Sequence, residues 1–286
     1  MKAPPPYPGP LQAVLLTLLG AFLASAADAV AQPAVGPTAA LGLATVVGLG
    51  AAGAVGATRI PRPHGARVGL RGLRARQLLP LLLLLPVALV ASEVDNAVLA
   101  SFPAPDAPQL AQQVLEKLPT DAGLAFLESL LVAVGLVPLV EEWFFRGVIQ
   151  QGLVARLGAR GGVLLTALLF ALGHAGPGLS PASWGALVAQ TFVLGLVFGV
   201  ARHQTGSLLA GVFLHVGVNL AGVLALAYAS RVPIPGYNAP GPHTPAALIV
   251  PAALSVGLGL VLLARERAPR IPEVPVPGEP EDEPGA

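Results

Sequence analysis

The chain has no cysteine among its 286 residues. Disulfides, thiolate nucleophiles and Cys-ligated metal centres are therefore excluded. Charge is scarce as well: Asp, Glu, Lys and Arg make up 11% of the sequence, against roughly a quarter in an ordinary soluble domain. With so little charge and 54% hydrophobic residues, the composition is that of a multi-spanning membrane protein rather than of one or two soluble domains. A formal net charge of +1 gives no sign of a nucleic-acid partner. The 30 prolines and 34 glycines have no period of three, which excludes collagen and leaves loop punctuation and close helix packing.

What is abundant is the long apolar run. Eight segments, at 11–31, 38–57, 77–100, 121–147, 162–175, 183–201, 207–229 and 245–264, reach or approach the ~20 residues a spanning helix needs. The runs are continuous rather than alternating, which argues against a β-barrel. The expected fold is all-α: a polytopic membrane bundle of about eight transmembrane helices. Residues 1–101 read as N-terminal membrane helices with a basic loop, and 102–120 as an extracytoplasmic loop with a short amphipathic helix around "PQLAQQVLEKL". Residues 121–229 form the helical core, and 230–264 a loop and the last membrane helix. The Pro-rich acidic end, 265–286, cannot bury a core and reads as a disordered tail.

Basic residues set the orientation. With a cytoplasmic N-terminus and eight crossings, 14 of the 16 Lys and Arg lie on or toward the cytoplasmic side, and Lys117 and Arg231 lie outside. The positive-inside bias thus supports both termini in the cytoplasm and an even number of spans. The start, "LQAVLLTLLGAFLASAADA", has a signal peptide with cleavage at a small-residue site as its alternative reading, although its basic n-region is weak.

Ionisable groups inside membrane segments are costly and mark functional sites by default. Three clusters stand out: "EEWFFR" with Glu141, Glu142 and Arg146; "FALGH" with Phe170 and His174; and "HVGVN" with His215 and Asn219. Glu142 and Arg146 are four residues apart and can pair on one helical face. Glu141, turned about 100° away, is free to face something else. His215 and Asn219 share a face by the same spacing. At 1.5 Å rise per residue, His215, His174 and Glu141 lie roughly 12, 18 and 22 Å from the cytoplasmic helix ends, one layer supplied by three helices. Gln190 and Thr191 read as interhelical hydrogen-bond partners, and Gly195 and Gly199 as a packing GxxxG. For Glu142 and Arg146 a purely structural ion pair is an equal alternative, and either histidine taken alone reads as a packing residue.

The chemistry available to such a layer is specific. A desolvated carboxylate becomes a base that works near neutral pH. An imidazole beside it can hold the same water or share its proton, and a His N–H and an Asn amide N–H aimed at one point form an oxyanion hole. None of the three clusters supplies a Ser, Thr or Lys nucleophile, so water activated by Glu141 is the simplest route to amide hydrolysis. Two other readings use the same residues. Glu141, His174 and His215 are a possible His₂Glu zinc set, although there is no HExxH and Arg146 would repel a cation. A non-catalytic scaffold, or a proton-coupled transporter, would use the buried charges differently, but no inverted repeat is visible.

In order and separation, EExxxR, FxxxH and HxxxN resemble the motifs of the CPBP family, the CAAX-prenyl-protease and bacteriocin-processing membrane proteins. The resemblance covers roughly 121–229 and extends to the eight-span count. It implies a glutamic intramembrane endopeptidase without a metal cofactor, in which Glu141 activates water, His174 helps to position it, His215 and Asn219 stabilise the oxyanion, and Glu142 and Arg146 support the site. Some members of the family are expected to serve as immunity or partner proteins. The implied partners are the lipid bilayer and a membrane-anchored or lipid-proximal peptide. Ala-, Gly- and Arg-rich composition points to a bacterial chain of the inner membrane, where prenylated substrates are less expected. The site is expected to open toward the cytoplasmic half of the bilayer.

Overall fold

The computed structural model describes residues 6–102, 104–119, 123–176 and 178–266. The expected tail lies outside these from residue 267 on, as do Lys2, Arg267 and Arg270. Among the described residues, seven helices are long and apolar enough to cross a membrane. We number the helices α1 (Pro10–Val35), α2 (Pro37–Ala57), α3 (His64–Val68, a short interfacial turn), α4 (Ala75–Ser101), α5 (Ala107–Lys117), α6 (Leu124–His174), α7 (Pro181–Thr205), α8 (Leu208–Ala227) and α9 (Ala246–Ala264). Their outward faces carry large apolar side chains, with Phe22 and Leu254 each 70% exposed, the inverse of a water-soluble surface.

The expected fourth and fifth segments are one helix here, and it is broken. At 51 residues, α6 would run about 76 Å if straight, more than twice the ~30 Å hydrocarbon layer. Gly158 interrupts it with φ 73 and ψ 172, a left-handed φ that glycine adopts without a Cβ penalty. The chain doubles back there. The rings of Phe145 and Phe170 lie 5.3 Å apart, where a straight helix would hold them about 37 Å apart. Residues 124–157 and 159–174 are therefore two passes, which makes eight among the described residues. Glu93 and Asp95 fall inside α4, within about three turns of its end.

Helix ends alternate between two poles. One gathers Arg59, Arg62, Arg67, Arg71, Arg74, Arg76, Arg156, Arg160, Arg202 and Arg265 at successive helix ends and the loops between them. It is tied together by side chains reaching backbone carbonyls: Arg156 Nε donates to Pro6 O at 2.6 Å, Arg202 Nη2 to Arg67 O and Val68 O at 3.0 Å, and Ser207 Oγ to Arg71 O at 2.5 Å. The far pole holds Lys117 and Arg231. There Thr38 Oγ1 donates to Lys117 O, Asp106 accepts from Ser180 N and Ser183 Oγ at 2.8 Å, and Glu93 binds His243 at 2.7 Å. Three apolar clusters fill the interior. The one nearest the polar groups joins Phe144, Phe145, Ile149 and Leu153 to Leu169 and Phe170 across the α6 hairpin, with Ala13 and Leu16 of α1.

Candidate active site

The polar layer is built around the first limb of α6. That limb is not a uniform α-helix: Leu130–Leu136 and Trp143–Ile149 are π-helical, flanking an α-helical Val137–Glu142. Widened turns of this kind are rare and often accompany functional sites. Pro138 supplies part of the cause, because it has no N–H to give the preceding turn. In π register its acceptor would be Ala133 O. That carbonyl instead accepts from Asn219 Nδ2 of α8 at 2.8 Å, as a buried backbone acceptor needs a partner.

The two adjacent glutamates have separate surroundings. Glu142 is fully buried and pairs with the equally buried Arg146, Oε1 to Nη1 at 2.9 Å. Arg146 Nη2 donates to Gly195 O at 3.2 Å, and its guanidinium lies 4.3 Å from the Phe170 ring centre, 5.5 Å from Phe198 and 5.9 Å from Phe145. An aromatic cage and a carboxylate together offset much of the cost of burying the cation. Glu142 Oε1 also receives His215 Nδ1 at 3.1 Å. There is space for this carboxylate because α8 presents Gly211: a Cβ at that position would collide with Glu142 Oε2.

Glu141 faces the other way, with 12% of its side chain exposed. Its Oε2 lies 3.7 Å from His215 Nε2 and 3.9 Å from His174 Nε2. This oxygen is buried and has no hydrogen-bond partner among the described residues. His174 Nδ1 is held at 2.8 Å by Phe170 O. A carbonyl only accepts, so Nδ1 carries the proton and Nε2 presents its lone pair toward Glu141. The same reasoning, with the Glu142 carboxylate as acceptor, turns His215 Nε2 toward Glu141. Both imidazole edges therefore converge on one carboxylate oxygen at distances that exceed a direct hydrogen bond but suit a bridging water.

Of the residues singled out from sequence, Glu141, Glu142, Arg146, His174 and His215 come together with Phe170. Asn219 lies on the same side of α8 as His215, but its amide is engaged with Ala133 O, and it lines two neighbouring cavities of about 380 and 530 Å³. Gly195 and Gly199 do more than pack. Their carbonyls accept from Arg146 and from Gln150 Nε2, the latter at 2.8 Å, a ladder of two i,i+4 donors on two i,i+4 acceptors. Sequence reasoning missed Gln150, although its position one turn beyond Arg146 was the available signal. It also missed Gly211 and Pro138, whose effects depend on contacts that no local pattern carries. Gln190 donates to Asp95 at 3.2 Å; Thr191 bonds within its own helix to Leu187 O.

Among the described residues, no group of three or more His, Asp or Glu is arranged to hold a metal ion. Beside Glu141 and His174 is a cavity of about 310 Å³ reaching from Thr17 and Leu49 at mid-helix to Asp28 and Lys117. It approaches the pole that holds Lys117, not the arginine pole. The reason is that Arg146, Gln150 and the Arg202-anchored loop fill the arginine side, leaving a cavity of only about 20 Å³ there.

Residues 123–221, which include Glu141, Glu142, Arg146, Phe170, His174, His215 and Asn219, match the family described as type II CAAX prenyl endopeptidase Rce1-like. No curated protein and no solved structure matches the chain. The match covers about a third of the chain, so it is this central segment that is similar to the CPBP/CAAX-protease family.

Proposed function

We propose that the chain is an intramembrane endopeptidase that hydrolyses a peptide bond of a membrane-anchored or lipid-proximal substrate, with a water activated by Glu141. The observation that carries this reading is the convergence of His174 Nε2 and His215 Nε2 on the otherwise unpartnered Glu141 Oε2. A water between them would donate one proton to Glu141 and the other to an imidazole, leaving a lone pair for attack on the scissile carbonyl. Glu141 would take a proton from the attacking water and return it to the leaving amine nitrogen as the C–N bond breaks, while His215 as the imidazolium, backed by Glu142, would donate from Nε2 to the developing oxyanion. Glu142 and Arg146 fix that ring and the helix register. Asn219 holds Ala133 and thus the limb bearing Glu141; its remaining polar atoms are available to the substrate backbone. No metal takes part in this scheme. The chain would reside in a bacterial inner membrane with both termini cytoplasmic.

The test is cleavage of a library of membrane-anchored peptides by wild type and Glu141→Gln in liposomes, read by mass spectrometry with and without a zinc chelator. Cleavage by wild type that is lost in the variant and indifferent to chelator is expected. Loss with chelator and recovery with zinc would replace the water-activating glutamate by a metal mechanism. Full activity of Glu141→Gln would remove Glu141 from the chemistry.

A further inference from the structure

The arginine pole holds cations that the proposed chemistry does not use. Arg67 and Arg202 are 2% and 8% exposed. Both line the cavity of about 20 Å³ that also touches Arg146 and Gln150, and half-buried Arg71 and His203 line it with them. Among the described residues the arginines in ion pairs are Arg76, with Glu266, and Arg146, with Glu142. Arg67, Arg71 and Arg202 therefore share one cavity without a carboxylate partner. Backbone carbonyls take part of their donor capacity: Arg202 Nη2 bonds Arg67 O and Val68 O, and Arg67 Nε reaches Arg62 O at 3.5 Å. A carbonyl fixes a guanidinium without cancelling its charge. Arg67 Nη2 and Arg202 Nε remain buried with no hydrogen-bond partner among the described residues, a costly state for a cation. The backbone is shaped to hold them there. Gly69, at φ 85, ends α3 in the left-handed region, its carbonyl accepts from Leu208 N at 2.9 Å, and a Cβ on it would collide with the Arg202 guanidinium.

We infer that this cluster is a phosphate-binding site, with one phosphate oxygen seated between Arg67 and Arg202 and the remaining charge met by Arg71. The cavity has room for about one oxygen-sized group, so the ligand presents an oxygen from outside rather than entering whole. The guanidinium fork is suited to phosphate oxygens in charge and geometry. Such a group has two sources, a phospholipid headgroup and dissolved phosphate. The site lies at one end of the apolar bundle, at the depth where headgroups meet basic pockets between helices. Leu70, next to Arg71 and 69% exposed, offers apolar surface to an acyl chain. A phosphate held there would join the α3 turn to the end of α7, which the Arg202 bonds to Arg67 and Val68 already bring together.

The test uses the full chain, delipidated in a non-ionic detergent. It is titrated at constant ionic strength with dihexanoyl phosphatidylglycerol, with inorganic phosphate and with chloride, and the thermal midpoint is followed, since a ligand of the folded state raises it in proportion to its occupancy. A saturable rise with a phosphate source is expected. A rise with the lipid alone makes the ligand a headgroup, and an equal rise with inorganic phosphate makes it the free ion. Arg71→Gln should raise the half-saturating concentration about tenfold, the weight of one charge-assisted hydrogen bond. Arg74→Gln removes the same charge from an exposed position of the same loop that does not line the cavity, and should leave that concentration essentially unchanged. Neither variant touches the bonds by which Arg202 anchors the loop, so both are expected to fold. No rise with either phosphate source overturns the inference and leaves the arginines as structural anchors. A rise with chloride equal to that with phosphate also overturns it, as does an equal effect of the two variants, which would reduce the response to the general field of the pole. No cleavage is measured, so the outcome is independent of the hydrolase reading.

Discussion

Gly211→Ala tests whether the buried carboxylate geometry depends on close approach of α8 to α6. The added Cβ would collide with Glu142 Oε2. That oxygen cannot simply rotate away, because Oε1 is fixed by Arg146 at 2.9 Å and His215 at 3.1 Å, with both members of the ion pair at 0% exposure. Overpacking by one methyl costs about 1–3 kcal/mol where the surroundings cannot give. If Glu142 is instead pushed off Arg146, the penalty approaches the roughly 3–5 kcal/mol of a broken buried pair. The control is Gly222→Ala on the same helix, where a Cβ meets nothing within 4 Å and the change should be neutral or gain up to ~1 kcal/mol of helix propensity. Thermal unfolding in one detergent should therefore give a midpoint several degrees below wild type for Gly211→Ala, and one at or above wild type for Gly222→Ala. Peptide cleavage should fall with the first and persist with the second. Equal midpoints for the two variants would refute the claim that Gly211 makes room for the carboxylate.

Other substitutions separate structural from chemical roles. Arg146→Leu should lose about 3–5 kcal/mol by leaving Glu142 buried and unpaired, and adding Glu142→Gln to it should recover part of that loss in the same melting assay. Asn219→Ala should lower stability by about 1–3 kcal/mol through the orphaned Ala133 carbonyl; a residue acting only on the oxyanion would leave the melting temperature unchanged. At the far pole, hydrogen bonds from Ser180, hydroxyl first and then backbone N–H, together with Ser183, lower the Asp106 carboxyl to about 2. A lowered value in the folded state means stability that is fully present above the ordinary carboxylate range and is lost as pH falls toward 2. Proteolysis of the α5 loop should accordingly increase only in that acid window, and Asp106→Asn should abolish the dependence.

Much of this architecture was legible from apolar run length and arginine distribution, since both report directly on the solvent each segment meets. The eight apolar runs correspond to eight passes, the fourth and fifth reversing at Gly158 between Arg156 and Arg160 rather than through a longer loop. The Glu142–Arg146 pair followed from i,i+4 spacing, and the outward turn of Glu141 from the same period. The meeting of His174 with Glu141 did not, because it depends on the angle at which the hairpin limbs close. Nor could spacing show that the Asn219 amide is taken up by Ala133, since that bond arises from a missing N–H at Pro138 on another helix. Depth along a helix likewise says nothing about which side of the site its neighbours fill.

Two glutamates in sequence would be a liability in a membrane if both met the same surroundings. Here a single 100° step separates them into different chemical environments. Glu142 lies where Arg146, His215 and the absent side chain of Gly211 meet, so its charge is fully engaged and its position fixed. Glu141 lies at the cavity wall with one oxygen uncommitted. Because His215 bonds to the first and faces the second, the ring couples the fixed charge to the free one. A change that loosens Glu142 should therefore disturb chemistry at Glu141 without touching it, whereas Glu141→Gln should leave stability nearly intact because Oε2 makes no bond that the amide would break. The ordering expected from this arrangement is that Glu142 variants lose stability and cleavage together, and Glu141 variants lose cleavage alone.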